Sequence, residues 1–162
     1  MQMLISDANI IIDLEVGEQL ENMFKLPYTF CTPDILFMGE LALDHANLVE
    51  LGLQLKTLTP ASMFYAYQIN AVYPQPSIND MLALALARQE DCPLLTGDKK
   101  LKKSATHESV VVRGTLWLIE TLVEMRIITC DQAIASYELM QQQGRRLPFK
   151  MAKERILEKR LD

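Results

Sequence analysis

Short apolar runs along the chain alternate with longer stretches whose apolar positions recur at helical spacing, a pattern that predicts βαβ units around a parallel sheet. MLIS (3–6) predicts a first strand, and NIIIDLEVGEQLENMFKL a helix with a break at Gly17. YTFCT (28–32) predicts a second strand, and DILFMGELALDHANLVEL, after Pro33, a second helical stretch. LQLKTLT (53–59) is ambiguous in pattern and reads as extended. PASMFYAYQINAVY and SINDMLALALARQE predict two helices, and CPLLT and SVVVRG the last two strands. GTLWLIETLVEMRII and TCDQAIASYELMQQQ predict two further helices joined by a tight turn near Thr129, and KMAKERILEKRLD a final basic helix over about 149–162. With no internal repeat and no low-complexity linker, one domain spanning 1–162 is expected.

Composition narrows the class. A chain of 162 residues can bury roughly 70% of its unfolded surface, so neither disulfides nor a metal are needed merely to hold a core. No stretch approaches the roughly 18 apolar residues of a membrane span, and MQMLISDAN lacks a basic leader, so a soluble, cytoplasmic protein without a membrane partner is expected. Cys31, Cys92 and Cys130 are too few and too scattered for a disulfide framework or a zinc site. The net charge of −5 is unevenly spread. Residues 1–55 carry one Lys/Arg against nine Asp/Glu, and residues 99–162 carry thirteen against eight. Folded together, such halves can form a negative pocket rimmed by positive surface, although solvated charges without a common purpose fit the count equally well.

Four acids carry the candidate chemistry, and each has a plain structural reading beside the functional one. Asp7 ends the first strand, where parallel α/β folds open their crevice, and is also placed to cap the next helix. Glu40 lies among Ile35, Leu36, Phe37, Met38, Leu41 and Leu43, either on a solvent stripe or held for a purpose. Ser77 and Asp80 in SIND fit a capping box. Asp98, in LLTGDKKLKKSA, can cap the lysine-rich helix after it.

The ordered set of ISDANIIIDL, TPDILFMGEL, SINDMLALALA and LLTGDKKL resembles the PIN-domain family, to which the VapC-type toxin ribonucleases belong. The segment GTLWLIETLVEMRIITCDQAIASYELMQQQGRRLP is similar to the C-terminal part of one VapC-related branch. The resemblance runs to about residue 148; the spacer between Glu40 and Asp80 and the tail after Phe149 match nothing in it. It implies an α/β, PIN-like three-layer sandwich with a short central parallel sheet flanked by helices. It also implies that Asp7, Glu40, Asp80 and Asp98 converge on one or two Mg²⁺ or Mn²⁺ ions, hard cations that prefer carboxylate oxygens. Two carboxylates about 4 Å apart at an effective dielectric of about 20 repel by roughly 4 kcal/mol, so such a cluster is strained unless protonated or filled. Asn9 and Thr96 match family positions whose polar groups orient the acids.

The implied activity is metal-dependent endoribonucleolytic cleavage, with RNA as substrate, a small antitoxin as partner and a homodimer as the common assembly. A PIN-like module that binds nucleic acid or protein without cutting is the alternative. A phospho-receiver domain is disfavoured because LQLKTLTP ends without an acid, and a D-x-D phosphatase because Asp7-Ala8-Asn9 lacks the second Asp. Lys99, Lys100, Lys102 and Lys103 suit contact with the RNA backbone, or a solvated helix face. Asp13 is expected on the exposed face of its helix. His45 and His107 have no ligand spacing, and Trp117, Phe64, Tyr65 and Tyr67 are expected in the core or at an interface.

Overall fold

The computed structural model describes residues 1–160; the last two positions of the expected basic tail lie outside the described residues. Five parallel strands form one sheet in the order β3-β2-β1-β4-β5: β1 (Gln2–Ser6), β2 (Tyr28–Pro33), β3 (Gln54–Lys56), β4 (Leu94–Leu95) and β5 (Val112–Arg113). The central β1 is apolar enough to be covered on both faces, and Leu4 and Ile5 are buried. The ambiguous run at 53–59 therefore contributes a short edge strand.

With the strand order above, the right-handed rule for parallel crossovers puts α1 (Ala8–Val16) and α2 (Leu20–Met23) on one face, and α5 (Pro60–Val72), α6 (Ile78–Gln89) and α7 (Lys99–His107) on the other. Helices α8 (Thr115–Glu124), α9 (Cys130–Gln142) and α10 (Phe149–Arg160) complete the first layer, α8 and α9 packing on α1 and α10 on α9. The result is α/β with helices flanking the sheet, as the sequence pattern predicts. In α6 every residue from Met81 to Ala87 is buried, because the helix is clamped between α5 and strands β1 and β2 and has no solvent stripe.

The break at Gly17 has a packing cause. A Cβ there would stand 2.6 Å from Met140 Cε and 3.3 Å from Ser136 Cβ, so a larger residue would make the Met140 tip move and crowd Ser136 where α9 closes on the end of α1. The junction is fastened by polar groups: Ser136 Oγ donates to the Gly17 carbonyl at 2.7 Å and accepts from Gln19 Nε2 at 2.9 Å.

Three expectations need correction. The stretch 34–51 is not one helix. It comprises α3 (Asp34–Leu36), a π-helical turn over Phe37–Leu41 closed by Ala42 N–H on the Phe37 carbonyl, and, after an irregular segment, α4 (Leu48–Leu51). Gly39 weakens the regular helix inside the turn, and His45 is tied to Glu15 of α1 at 2.7 Å, which draws the chain away from a straight path. Next, Phe64 and Tyr67 are 65% and 58% exposed on the outer face of α5 rather than in the core, while Tyr65 and Trp117 are half-buried. The third concerns Asp13 and belongs with the site. The basic tail, for its part, is largely spoken for: Lys153, Arg155, Lys159 and Arg160 of α10 face Glu138, Glu120, Glu124 and Asp131.

Candidate active site

The site lies beyond the carboxyl ends of β1 and β4, at the point where the sheet's connections change direction, which is where open α/β sheets leave a crevice. Asp7 follows β1 directly, and its backbone N–H donates to the Leu95 carbonyl at 3.0 Å. Its side chain is 2% exposed. Oδ1 accepts from Ile10 N–H at 3.0 Å, capping α1, while Oδ2 accepts from Thr96 Oγ1 at 2.5 Å. Cap and pocket wall are thus one residue.

Thr96 joins two acids. Besides donating to Asp7, its hydroxyl oxygen accepts from the backbone N–H of Asp98 at 3.1 Å, which sets the entry to α7. Asp98 Oδ1 accepts from Lys100 N–H at 2.8 Å and Leu101 N–H at 3.2 Å. Asp80 closes a capping box, with Oδ2 accepting from Ser77 N–H at 3.0 Å and the Asp80 N–H donating to Ser77 Oγ at 3.1 Å. Glu40 sits in the π-helical turn, a device frequent at functional sites because the extra residue redirects side chains. Its Oε1 accepts from Asn79 Nδ2, next to Asp80, at 3.1 Å.

These bonds hold the acids in place while leaving oxygens over: among the described residues Asp80 Oδ1, Asp98 Oδ2 and Glu40 Oε2 take no hydrogen bond. The four also share one electrostatic field. Burial pushes the Asp7 carboxyl up to about 7 against the pull of its hydrogen bonds, and the charges of Asp80 and Asp13 add to the rise. Asp80 is raised by burial first, and then by the charges of Asp98 and Glu40. A group that gathers like charges in a part-buried crevice is a natural seat for a hard cation. The donor set fits such an ion by chemistry. It does not form a closed cage: among the described residues no three of His, Cys, Asp or Glu stand together as a metal-holding group.

A sequence model of the PIN domain matches residues 3–159. The chain belongs to the PIN-domain family. PIN domains are in general nucleases, so at that coarse level the function is nuclease-type and the chemistry hydrolytic. No curated protein sequence matches the chain.

The PIN crevice is edged by α7, which is capped by Asp98 and carries Lys99, Lys100, Lys102 and Lys103 exposed, none paired with an acid among the described residues. Asn9, in the first turn of α1, makes no side-chain hydrogen bond to the four acids among the described residues; its side-chain oxygen accepts from Arg145 Nη2 at 3.3 Å.

Asp13 departs furthest from expectation. It is 5% exposed, because α8 and the α9–α10 connection cover that face of α1. Thr115 Oγ1 donates to its Oδ2 at 2.7 Å and Arg145 Nε to its Oδ1 at 2.6 Å. Neither partner is visible to local pattern, since they lie 102 and 132 residues away along the chain. The signal that could have prompted a search is the position of Asp13 between Ile11 and Leu14 on a short apolar helix, where a carboxylate needs a cation.

Proposed function

We propose that the chain is a metal-dependent endoribonuclease, the toxin of a toxin–antitoxin pair. What supports the reading is that Thr96 ties the Asp7 carboxylate to the backbone of Asp98, that the charges of Asp98 and Glu40 bear on Asp80 and that of Asp80 on Asp7, and that an unpaired lysine helix follows Asp98. The free oxygens of Asp80, Asp98 and Glu40, together with Asp7, are the groups that would hold Mg²⁺ or Mn²⁺. When bound, the ion supplies Lewis-acid polarisation of the phosphate and acidification of an attacking water.

The protein's own part is positioning. Thr96 fixes Asp7 and the start of α7 in one geometry, so the acid at the end of β1 and the acid at the end of β4 cannot drift apart. Near neutral pH the buried Asp7 carries a proton part of the time, and that proton must leave before the carboxylate can serve as a ligand. The lysines of α7 attract the RNA backbone without reading its sequence. The toxin assignment rests on the likeness of the Gly114–Pro148 segment to a VapC-related branch; a small DNA-binding antitoxin encoded directly upstream would support it.

A second reading, a PIN-like module that binds without cutting, is favoured by one observation, the lack of a closed three-ligand group among the described residues. One experiment separates the two. Purified protein is incubated with a mixed single-stranded RNA pool and Mg²⁺ or Mn²⁺, with and without EDTA. Metal-dependent cleavage abolished by EDTA is expected. Binding without cleavage under every metal selects the module, and cleavage that survives EDTA defeats the metal-dependent mechanism.

A further inference from the structure

The lysines of α7 grip RNA from one face of the sheet only; we infer that Arg145, on the opposite face, is a preorganised binding group for the phosphate backbone at the other wall of the crevice. This rests on the nuclease reading above and names a binding residue beyond it. Three features of Arg145 point the same way. It sits in the connection between α9 and α10, in the helical layer of α1, whereas α7 and Asp80 belong to the layer across the sheet. Its guanidinium reaches the first turn of α1, where Nη2 donates to the carbonyl and side-chain oxygens of Asn9, both at 3.3 Å, two residues from Asp7. And it is held on one side only. Nε is bound to the buried Asp13 and Nη2 to Asn9, while Nη1 takes no partner among the described residues, and the side chain remains 25% exposed.

That arrangement differs from an ordinary surface ion pair. An arginine is ordinarily mobile, and ordering it on a ligand costs rotamer entropy; here Asp13 and Asn9 have already ordered it. Arginine also offers five donors in a planar fork, so it can be pinned through two nitrogens and still present a third to a phosphate oxygen. Lysine has three donors on one compact ammonium at the end of a flexible stem, so in this place it would bind a phosphate with less preorganisation than the planar fork does. With α7 on one side and Arg145 on the other, a single strand crossing the acids would be held at two points, which fixes the scissile phosphate in register.

The test is the salt dependence of binding to a labelled oligouridylate, with Ca²⁺ replacing Mg²⁺ and RNA integrity checked afterwards. For a single strand, each phosphate that the protein ceases to neutralise lowers the slope of log affinity against log salt by about 0.7. Two variants are needed, because Arg145→Met alone would strand a buried carboxylate. Asp13→Asn/Arg145→Met is compared with Asp13→Asn, in which Arg145 stays held by Asn9. Arg145→Lys is compared with wild type and changes no net charge. Asp13→Asn/Arg145→Met is expected to show the slope reduced by about 0.7 relative to Asp13→Asn, and Arg145→Lys to bind more weakly than wild type at every salt concentration. An unchanged slope in the first comparison, or unchanged affinity in the second, with wild type binding RNA, overturns the role of Arg145 and leaves the nuclease reading standing. Wild type that neither binds nor cuts single-stranded RNA overturns both.

Discussion

Replacing Asp7 by Asn should stabilise the metal-free protein, by an amount that depends on pH in a defined way. The wild-type carboxyl is 2% exposed and is held at about 7, against 3.8 for an ordinary aspartate. Below about pH 4 it is protonated in both folded and unfolded chains and contributes no difference. Between about pH 4 and pH 7 the folded state binds more protons than the unfolded state, so wild-type stability falls as pH rises. Above about pH 7 the loss is complete. A shift of about three units at 1.36 kcal/mol each corresponds to about 4 kcal/mol. Asparagine keeps the cap, since its Oδ1 can still accept from Ile10 N–H, and its amide can donate to the Thr96 hydroxyl oxygen. It carries no charge to desolvate. In EDTA, thermal and urea unfolding of the two proteins should therefore coincide near pH 4 and diverge progressively to pH 8, where Asp7→Asn melts roughly 10 °C higher. A constant difference across that range, or none, would mean that Asp7 ionises as an ordinary surface aspartate, and the buried-acid account of the crevice would be wrong. Such a variant should be more stable and inactive together, the usual relation between a strained site and its function.

Two further predictions concern the rest of the crevice. Asp98→Asn keeps the cap on Lys100 and Leu101 N–H and removes a charge that bears on Asp80, so it should melt at the same or a higher temperature without metal yet gain less from Mn²⁺; identical Mn²⁺-induced shifts for the two proteins would reduce Asp98 to a cap. Changing Lys99, Lys100, Lys102 and Lys103 to Gln should weaken RNA binding for all sequences alike and flatten its salt dependence, and an unchanged slope would return α7 to a solvated face.

What could be seen from sequence and what could not divides along the range of the interactions. Strands and most helices follow from local periodicity, and their order from the alternation of the two periods. Asp7, Asp80 and Asp98 announce themselves as caps because capping is local; that they also share a crevice is not a local fact. The π-helical turn at Phe37–Leu41 escapes because FMGELAL has an acceptable helical pattern, and the bond that reshapes it, Ala42 N–H to the Phe37 carbonyl, differs from a regular one by a single residue. Asp13 and Arg145 escape for the opposite reason. Their pairing spans most of the chain, and a rule that places lone carboxylates on the solvent side has no access to a cation from a distant segment. What the basic tail faces is likewise a long-range fact, settled by Glu120, Glu124, Asp131 and Glu138 of distant segments.

The span of these pairings bears on when the crevice can exist during synthesis. Asp7 is separated by 89 residues from Thr96 and Asp13 by 132 from Arg145, and the middle strand β1 needs both an early neighbour, β2, and a late one, β4. A growing chain at ~5–20 residues per second presents Asp7 several seconds before the partners that fix it. Until β4 has emerged, Asp7 has no Thr96 to hold it, and until the α9–α10 connection follows, Asp13 is a carboxylate without its cation. An unfinished chain therefore lacks the assembled crevice, whatever its first residues contain. For the ribonuclease proposed above that delay is useful, because the pocket is assembled only after most of these residues have been made.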